Sequence, residues 1–154
     1  MTGEQRSTTE ERHSSAKQRL AAWKKKYGTS TTTNFDLLKI AEAEGITPFY
    51  VVMRDEVSSL PATGQVYAVT NIHTSDERGV HWSALARTPG NNYFFDSYAL
   101  PPTQEVKDFL QHATYNTFTF QEPGTTECGQ LCLFLLKELT LSKDPLETIF
   151  QIRK

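Results

Sequence analysis

The chain has 154 residues, 38% of them hydrophobic, and a formal net charge of −2. That is enough for one domain with its own core, and no apolar run approaches the ~20 residues of a membrane-spanning helix. Two cysteines four residues apart argue against a disulfide framework and for a reducing intracellular setting, and the first fifteen residues carry no apolar segment of the secretory kind.

The first thirty residues hold seven basic side chains (Arg6, Arg12, Lys17, Arg19, Lys24, Lys25, Lys26) against three acidic ones (Glu4, Glu10, Glu11), which leaves −6 for the remainder. Residues 1–33 are therefore expected to be a flexible, basic, Ser/Thr-rich extension of the domain at 34–154. Such an arm offers a weak contact with nucleic acid, although a solvated leader is the plainer reading. Within it, Leu20, Trp23 and Tyr27 fall at helical spacing and predict a short helix over Ala16–Tyr27 that docks this one stripe. Asn34 is the predicted N-cap of the next helix, with Phe35, Leu37, Leu38 and Ala41 on one side and Gly45 at its close.

The rhythm then changes. "FYVVM", "QVYAVTNI", "VHWSALAR", "NYFFDSY" and "TFTFQ" are rich in β-branched and aromatic residues and bounded by Pro, Gly and Asn, which reads as about five strands. Between the last two, "TQEVKDFLQH" has a helical stripe of Val106, Phe109 and Leu110. Cys128–Leu141 is apolar nearly all round, as befits a helix at the centre of a fold. Asp144 as N-cap and Pro145 at the first helical position start a last helix in "DPLETIFQI". No repeat and no second domain is visible. The expected class is α+β, a mixed central sheet of about five strands packed against a buried central helix.

In "QEPGTTECGQLCLFLL" a loop of turn residues runs into that helix, and Cys128 opens it. There the unpaired N–H groups and the positive end of the helix dipole favour a thiolate and supply half of an oxyanion hole. Pro123, Gly124 and Gly129 would let a substrate backbone approach closely. Cys132, one turn further in, reads as a small buried hydrophobe.

A thiolate nucleophile needs an imidazole and a group to hold it. His13 lies in the leader, His73 in a turn and His112 at a helix end, but His81 sits inside a strand. Asp96 is an acid in an otherwise apolar strand, and a buried acid without a partner is costly. If the "TPGNN" hairpin has an even loop, cross-strand pairs sum to odd numbers. His81 and Asp96, which sum to 177, then share a sheet face. An odd loop would separate them. Gln121, seven residues before Cys128 at the end of a predicted strand, is the candidate second donor to an oxyanion. Each residue has a bland alternative, a structural His–Asp pair or an ordinary strand-end Gln; the order His, Asp, Gln, Cys on these elements is the specific signal.

That order, with "GVHW", "YFFDSY" about fifteen residues later and "CG" after six residues between it and Gln121, resembles the adenovirus protease (adenain) and the wider clan that holds the SUMO-specific proteases and other viral maturation proteases. "LLKIAEAEGITPFYVVMRDEVSSLP" is similar to the adenain amino-terminal helix, strand and loop, so the resemblance covers about Phe35–Leu139. It implies a papain-like, adenain-like cysteine protease fold, with Cys128 as nucleophile, His81 as general base and acid, Asp96 as orienting acid and Gln121 as oxyanion donor. Trp82 would back the histidine and shape the approach channel, and Gly129 would lie along the substrate. The implied activity is that of a cysteine endopeptidase without cofactor or metal. Its partners would be protein or peptide substrates, capsid precursors among them, for a monomer at work in the host nucleus or cytoplasm and the virion. The His-Trp and Cys-Gly words fit a ubiquitin- or SUMO-like-protein isopeptidase equally well, and a silent binding module of the same fold is a further alternative. With no third cysteine, a disulfide-linked activator peptide is not expected, and Cys128 with Cys132 fall short of a structural zinc site.

Overall fold

The computed structural model describes residues 14–30, 32–76, 81–121 and 128–153. In chain order they form helices α1 (Ala16–Tyr27) and α2 (Asn34–Glu44), strand β1 (Phe49–Val52), a 3-10 turn (Arg54–Ser59), and strands β2 (Val66–Asn71), β3 (Trp82–Arg87) and β4 (Asn92–Phe95). Helix α3 (Gln104–Leu110), strand β5 (Thr114–Tyr115), helix α4 (Cys128–Thr140) and helix α5 (Pro145–Arg153) follow. This is an α+β architecture on a five-stranded mixed sheet of order β1-β2-β3-β4-β5. The central pairs β2/β3 and β3/β4 are antiparallel, and both edges are parallel to their neighbours. No helix among the described residues is long and apolar enough to cross a membrane.

The strand alternation sorts side chains into two layers. Tyr67, Val69, Ala84, Ala86 and Phe95 meet Cys132–Leu136 of α4, with Leu37 and Ile40 of α2, Trp23 of α1 and Ile149 of α5 around them. Val66, Ala68, Leu85 and Phe94 face the other way, against Val106 and Leu110 of α3 and Val57 of the 3-10 turn. Helix α4 is thus enclosed, and from Cys128 to Leu136 every residue is buried. The sheet seats it from one side, and Trp23, whose indole Nε1 donates to Gln130 O at 2.9 Å, from the other.

Within the stretch expected to be a flexible extension, Ala16–Tyr27 forms the predicted helix and docks its stripe on the body. Its start is closed by a Ser15/Gln18 capping box and its stripe packs on the α4 core. Arg19 meets the buried Glu138 carboxylate at 2.7 Å, and Thr148 Oγ1 donates to the same carboxylate at 2.9 Å. Residues 1–13, with His13, lie outside the described residues, as do Pro123 and Gly124. Helix α2 is capped by Thr33, one residue before the expected Asn34, and Gly45 closes it in the left-handed conformation at φ 71°. Its buried stripe is Leu37, Ile40 and Ala41, while Phe35 and Leu38, expected to face inward, are 69% and 42% exposed.

The fifth strand is not where the sequence placed it. "TFTFQ" forms no strand, and β5 is the two-residue Thr114–Tyr115. The T-F-T-F alternation does turn Phe118 and Phe120, both half-buried, onto the α4 core. Its backbone meets a single carbonyl instead of a ladder, since Phe120 N and Gln121 N both donate to Ser97 O, at 2.9 and 3.2 Å.

Candidate active site

The β3–β4 hairpin decides whether the two candidate residues can meet. Its loop is Thr88–Asn91, four residues closed by Thr88 N donating to Asn91 O at 2.9 Å. The register runs Arg87 with Asn92 through Ala84 with Phe95, so the next position in it sets Ser83 opposite Asp96, and His81 is the diagonal neighbour. His81 Nε2 lies 2.7 Å from Asp96 Oδ2, and Ser83 Oγ donates to the same oxygen at 2.6 Å. Oδ1 accepts from the backbone N–H of Tyr98 at 2.9 Å and of Leu100 at 3.2 Å. Burial pushes the Asp96 pKa up, but the imidazole and the Ser83 hydroxyl outweigh it, so the group sits below its ordinary value, as a carboxylate.

Asn116 fixes this acid where the β4/β5 ladder has ended. Its Oδ1 accepts from Asp96 N at 3.0 Å and its Nδ2 donates to Asp96 O at 2.7 Å, so one side-chain amide stands in for a strand neighbour. Tyr98 stacks on the His81 ring, centroids 5.2 Å apart and planes 28° from parallel. The next residue, Ser97, carries the link to Gln121, for its hydroxyl donates to Gln121 Oε1. Gln121 is 4% exposed and is tied by side chain and backbone to the residue beside Asp96.

With Nε2 committed to Asp96, the other ring nitrogen, Nδ1, is left for Cys128, which is hydrogen-bonded to His81. Desolvation lowers the His81 pKa, yet the bonds to Asp96 and Cys128 override it and raise the value from 6.5 to about 9. Burial likewise raises the Cys128 thiol, but the imidazole and the backbone N–H groups of Trp82 and Gly129 bring it below its ordinary value. The two shifts favour a thiolate–imidazolium pair. Cys132 contrasts with this. Fully desolvated, with its Sγ donating to Trp82 O at 3.3 Å, it is pushed well above the ordinary thiol range.

The structure therefore brings His81, Asp96 and Cys128 into one hydrogen-bonded row and ties Gln121 to its Asp96 end. Trp82, half-buried, packs on the α4 core, and its backbone serves both cysteines. The side of Gly129 where a Cβ would stand is occupied by the chain's own Thr32 hydroxyl and by Leu37 Cδ2. His112 is exposed, just past the end of α3. Sequence reasoning missed Ser83, Ser97, Tyr98 and Asn116. Among the described residues no cluster of His, Cys, Asp or Glu has the make-up of a metal site.

No protein-family model matches the chain, and no curated protein matches it.

Proposed function

We propose that the chain is a cysteine endopeptidase of the adenain-like kind, with a papain-like placement of sheet and central helix. The observation that carries this reading is the buried carboxylate that holds an imidazole by Nε2 and so turns Nδ1 to a thiol at the head of the central helix. A structural His–Asp pair needs no thiol, and a buried structural thiol looks like Cys132.

The chemistry follows from the protonation states. The Cys128 thiolate adds to a peptide carbonyl carbon, and the carbonyl oxygen becomes an oxyanion that takes hydrogen bonds from N–H groups at the head of α4 and from Gln121. As the tetrahedral centre collapses, the C–N bond breaks and His81 Nδ1 delivers its proton to the leaving nitrogen. Neutral His81 then takes a proton from water, the hydroxide adds to the thioester, and the carboxylate product leaves as the thiolate and imidazolium return. Asp96 stays ionised throughout and holds the ring in its tautomer. The substrates are protein chains, and by the adenain resemblance they are structural precursors of a viral or mobile-element particle.

Alkylation by iodoacetamide across pH, with Cys128 and Cys132 resolved by peptide mass spectrometry, tests the scheme. Cys128 reacts at neutral pH and below, and Cys132 only in strongly alkaline solution or after unfolding. Equal reactivity of the two thiols at pH 7 would end the proposal. Turnover, unlike alkylation, needs the imidazolium as acid, so it declines as pH rises through about 9 while alkylation does not. Ubiquitin and SUMO bearing a carboxy-terminal electrophile separate the endopeptidase from an isopeptidase, since rapid capture by Cys128 would favour the latter.

A further inference from the structure

Asn71 is 1% exposed at the last position of β2. Strand alternation gives its direction. Tyr67 and Val69 pack against α4, whereas Val66 and Ala68 pack on the opposite layer, so Asn71 projects to the α4 side. Its partner across the sheet is Trp82, the residue whose N–H serves Cys128 and whose carbonyl holds Cys132. Asn71 thus stands beside Trp82, the chain neighbour of His81, on the β2 side, as Asp96 stands on the β4 side.

Its amide is also oriented. Oδ1 accepts from His73 N at 3.1 Å, which turns the NH₂ group the other way. That Nδ2 is fully buried and finds no acceptor among the described residues. A buried donor left without an acceptor is costly, and nearly all such groups in folded proteins are paired, so this one calls for an explanation at the site where it occurs. The strand pairing does not need it, because a leucine would fill the same space.

We infer that Asn71 is a substrate-binding residue whose Nδ2 donates to a main-chain carbonyl oxygen of the segment held at Cys128. This rests on the reading of Cys128 as the nucleophile. The ligand class is an extended polypeptide, recognised through its backbone and not through a side chain. Gln121 on one flank meets the reacting carbonyl, and Asn71 on the other meets a neighbouring one.

The test compares two alkylating agents that share a reactive group, chloroacetone and acetyl-Ala-Ala-Gly-Gly chloromethyl ketone, on the full chain and on Asn71→Leu and Asn71→Ser. Modification of Cys128 is followed by mass spectrometry. In both variants chloroacetone reacts within about twofold of the parent, while the peptidyl ketone slows by about tenfold, the worth of one hydrogen bond. Asn71→Leu removes a donor without a partner but also the acceptor of the His73 N–H, so the two effects offset and it melts close to the parent temperature. A peptidyl-ketone rate that follows the chloroacetone rate in both variants overturns the inference and leaves the nucleophile untouched. A parent Cys128 no more reactive toward chloroacetone than a free thiol at neutral pH takes down both readings.

Discussion

Helix α4 buries charge near both of its ends, and the two clusters are built to opposite effect. Near its C-terminal end the Glu138 carboxylate, 1% exposed, is met by Arg19 at Nε and Nη2 and by the Thr148 hydroxyl, all donors at 2.7–3.1 Å. A guanidinium and a hydroxyl are the donors there, and neither is an imidazole with a second nitrogen turned to a thiol. At the head of the helix Asp96 is equally well supplied with donors, but one of them is an imidazole whose other nitrogen faces a thiol. Two groups that can exchange a proton are poised there, one held above and one below its ordinary pKa. Saturation of a buried charge by fixed donors makes structure; its saturation through a titratable intermediary makes a reactive pair.

Substitutions at each end sharpen this contrast. The largest effect belongs to Asp96→Asn, which keeps the shape but favours the wrong imidazole tautomer, and kcat is expected to drop by roughly 10⁴ with little change in KM. Steady-state kinetics on a cleavable peptide would check it, and a variant within tenfold of the parent would show that Asp96 does not orient His81. Gln121→Ala is expected to cost about 10²–10³ in kcat through loss of one oxyanion donor. At the far end, Arg19→Met leaves the Glu138 carboxylate buried without its cation. The expected loss is about 3–5 kcal/mol of unfolding free energy in urea titration, with Cys128 alkylation at neutral pH unaltered wherever the variant is folded. Altered Cys128 reactivity in folded Arg19→Met would mean that the two clusters communicate, against the contrast drawn above.

The site was legible to the degree that it follows from strand arithmetic. A lone acid in "NYFFDSY" demanded a partner, and a four-residue hairpin loop fixed the parity that gave it His81. The same arithmetic reaches Ser83, which continues the register opposite Asp96, so that residue had a readable signal. Asn116 and Ser97 had none, because their work begins where the ladders stop and depends on how irregular segments fold back on β4. "TFTFQ" misled for a related reason. Alternation reports which side chains turn to the core, and Phe118 and Phe120 do so half-buried, but it does not report whether a neighbouring strand is there to take the backbone. In α2 the pattern Phe35, Leu37, Leu38, Ala41 had two possible faces, and contact with α4 chose the one through Leu37, Ile40 and Ala41. Helix α1 shows a stripe outweighing composition, for a basic segment docks as Leu20, Trp23 and Tyr27 suggested, with Trp23 on the Gln130 carbonyl and Arg19 on Glu138.

The smallest expected effect tests the contrast inside a single turn. Cys132 differs from Cys128 by one helical turn, yet it is 3% exposed, wholly desolvated and spends its S–H on Trp82 O. At neutral pH it is the uncharged partner, so its removal changes no charge near the thiolate. Cys132→Ala trades a small sulfur for a small void and is expected to cost about 1 kcal/mol of stability. The pH profile of Cys128 alkylation and the value of kcat/KM are expected to stay within about twofold of the parent, since Trp82 keeps its place at the start of β3 and its packing on the α4 core. A Cys128 profile displaced toward the ordinary thiol range in this variant would show that the inner sulfur helps set the outer one. The reactive unit would then extend one turn further down α4 than His81 and Asp96 alone require.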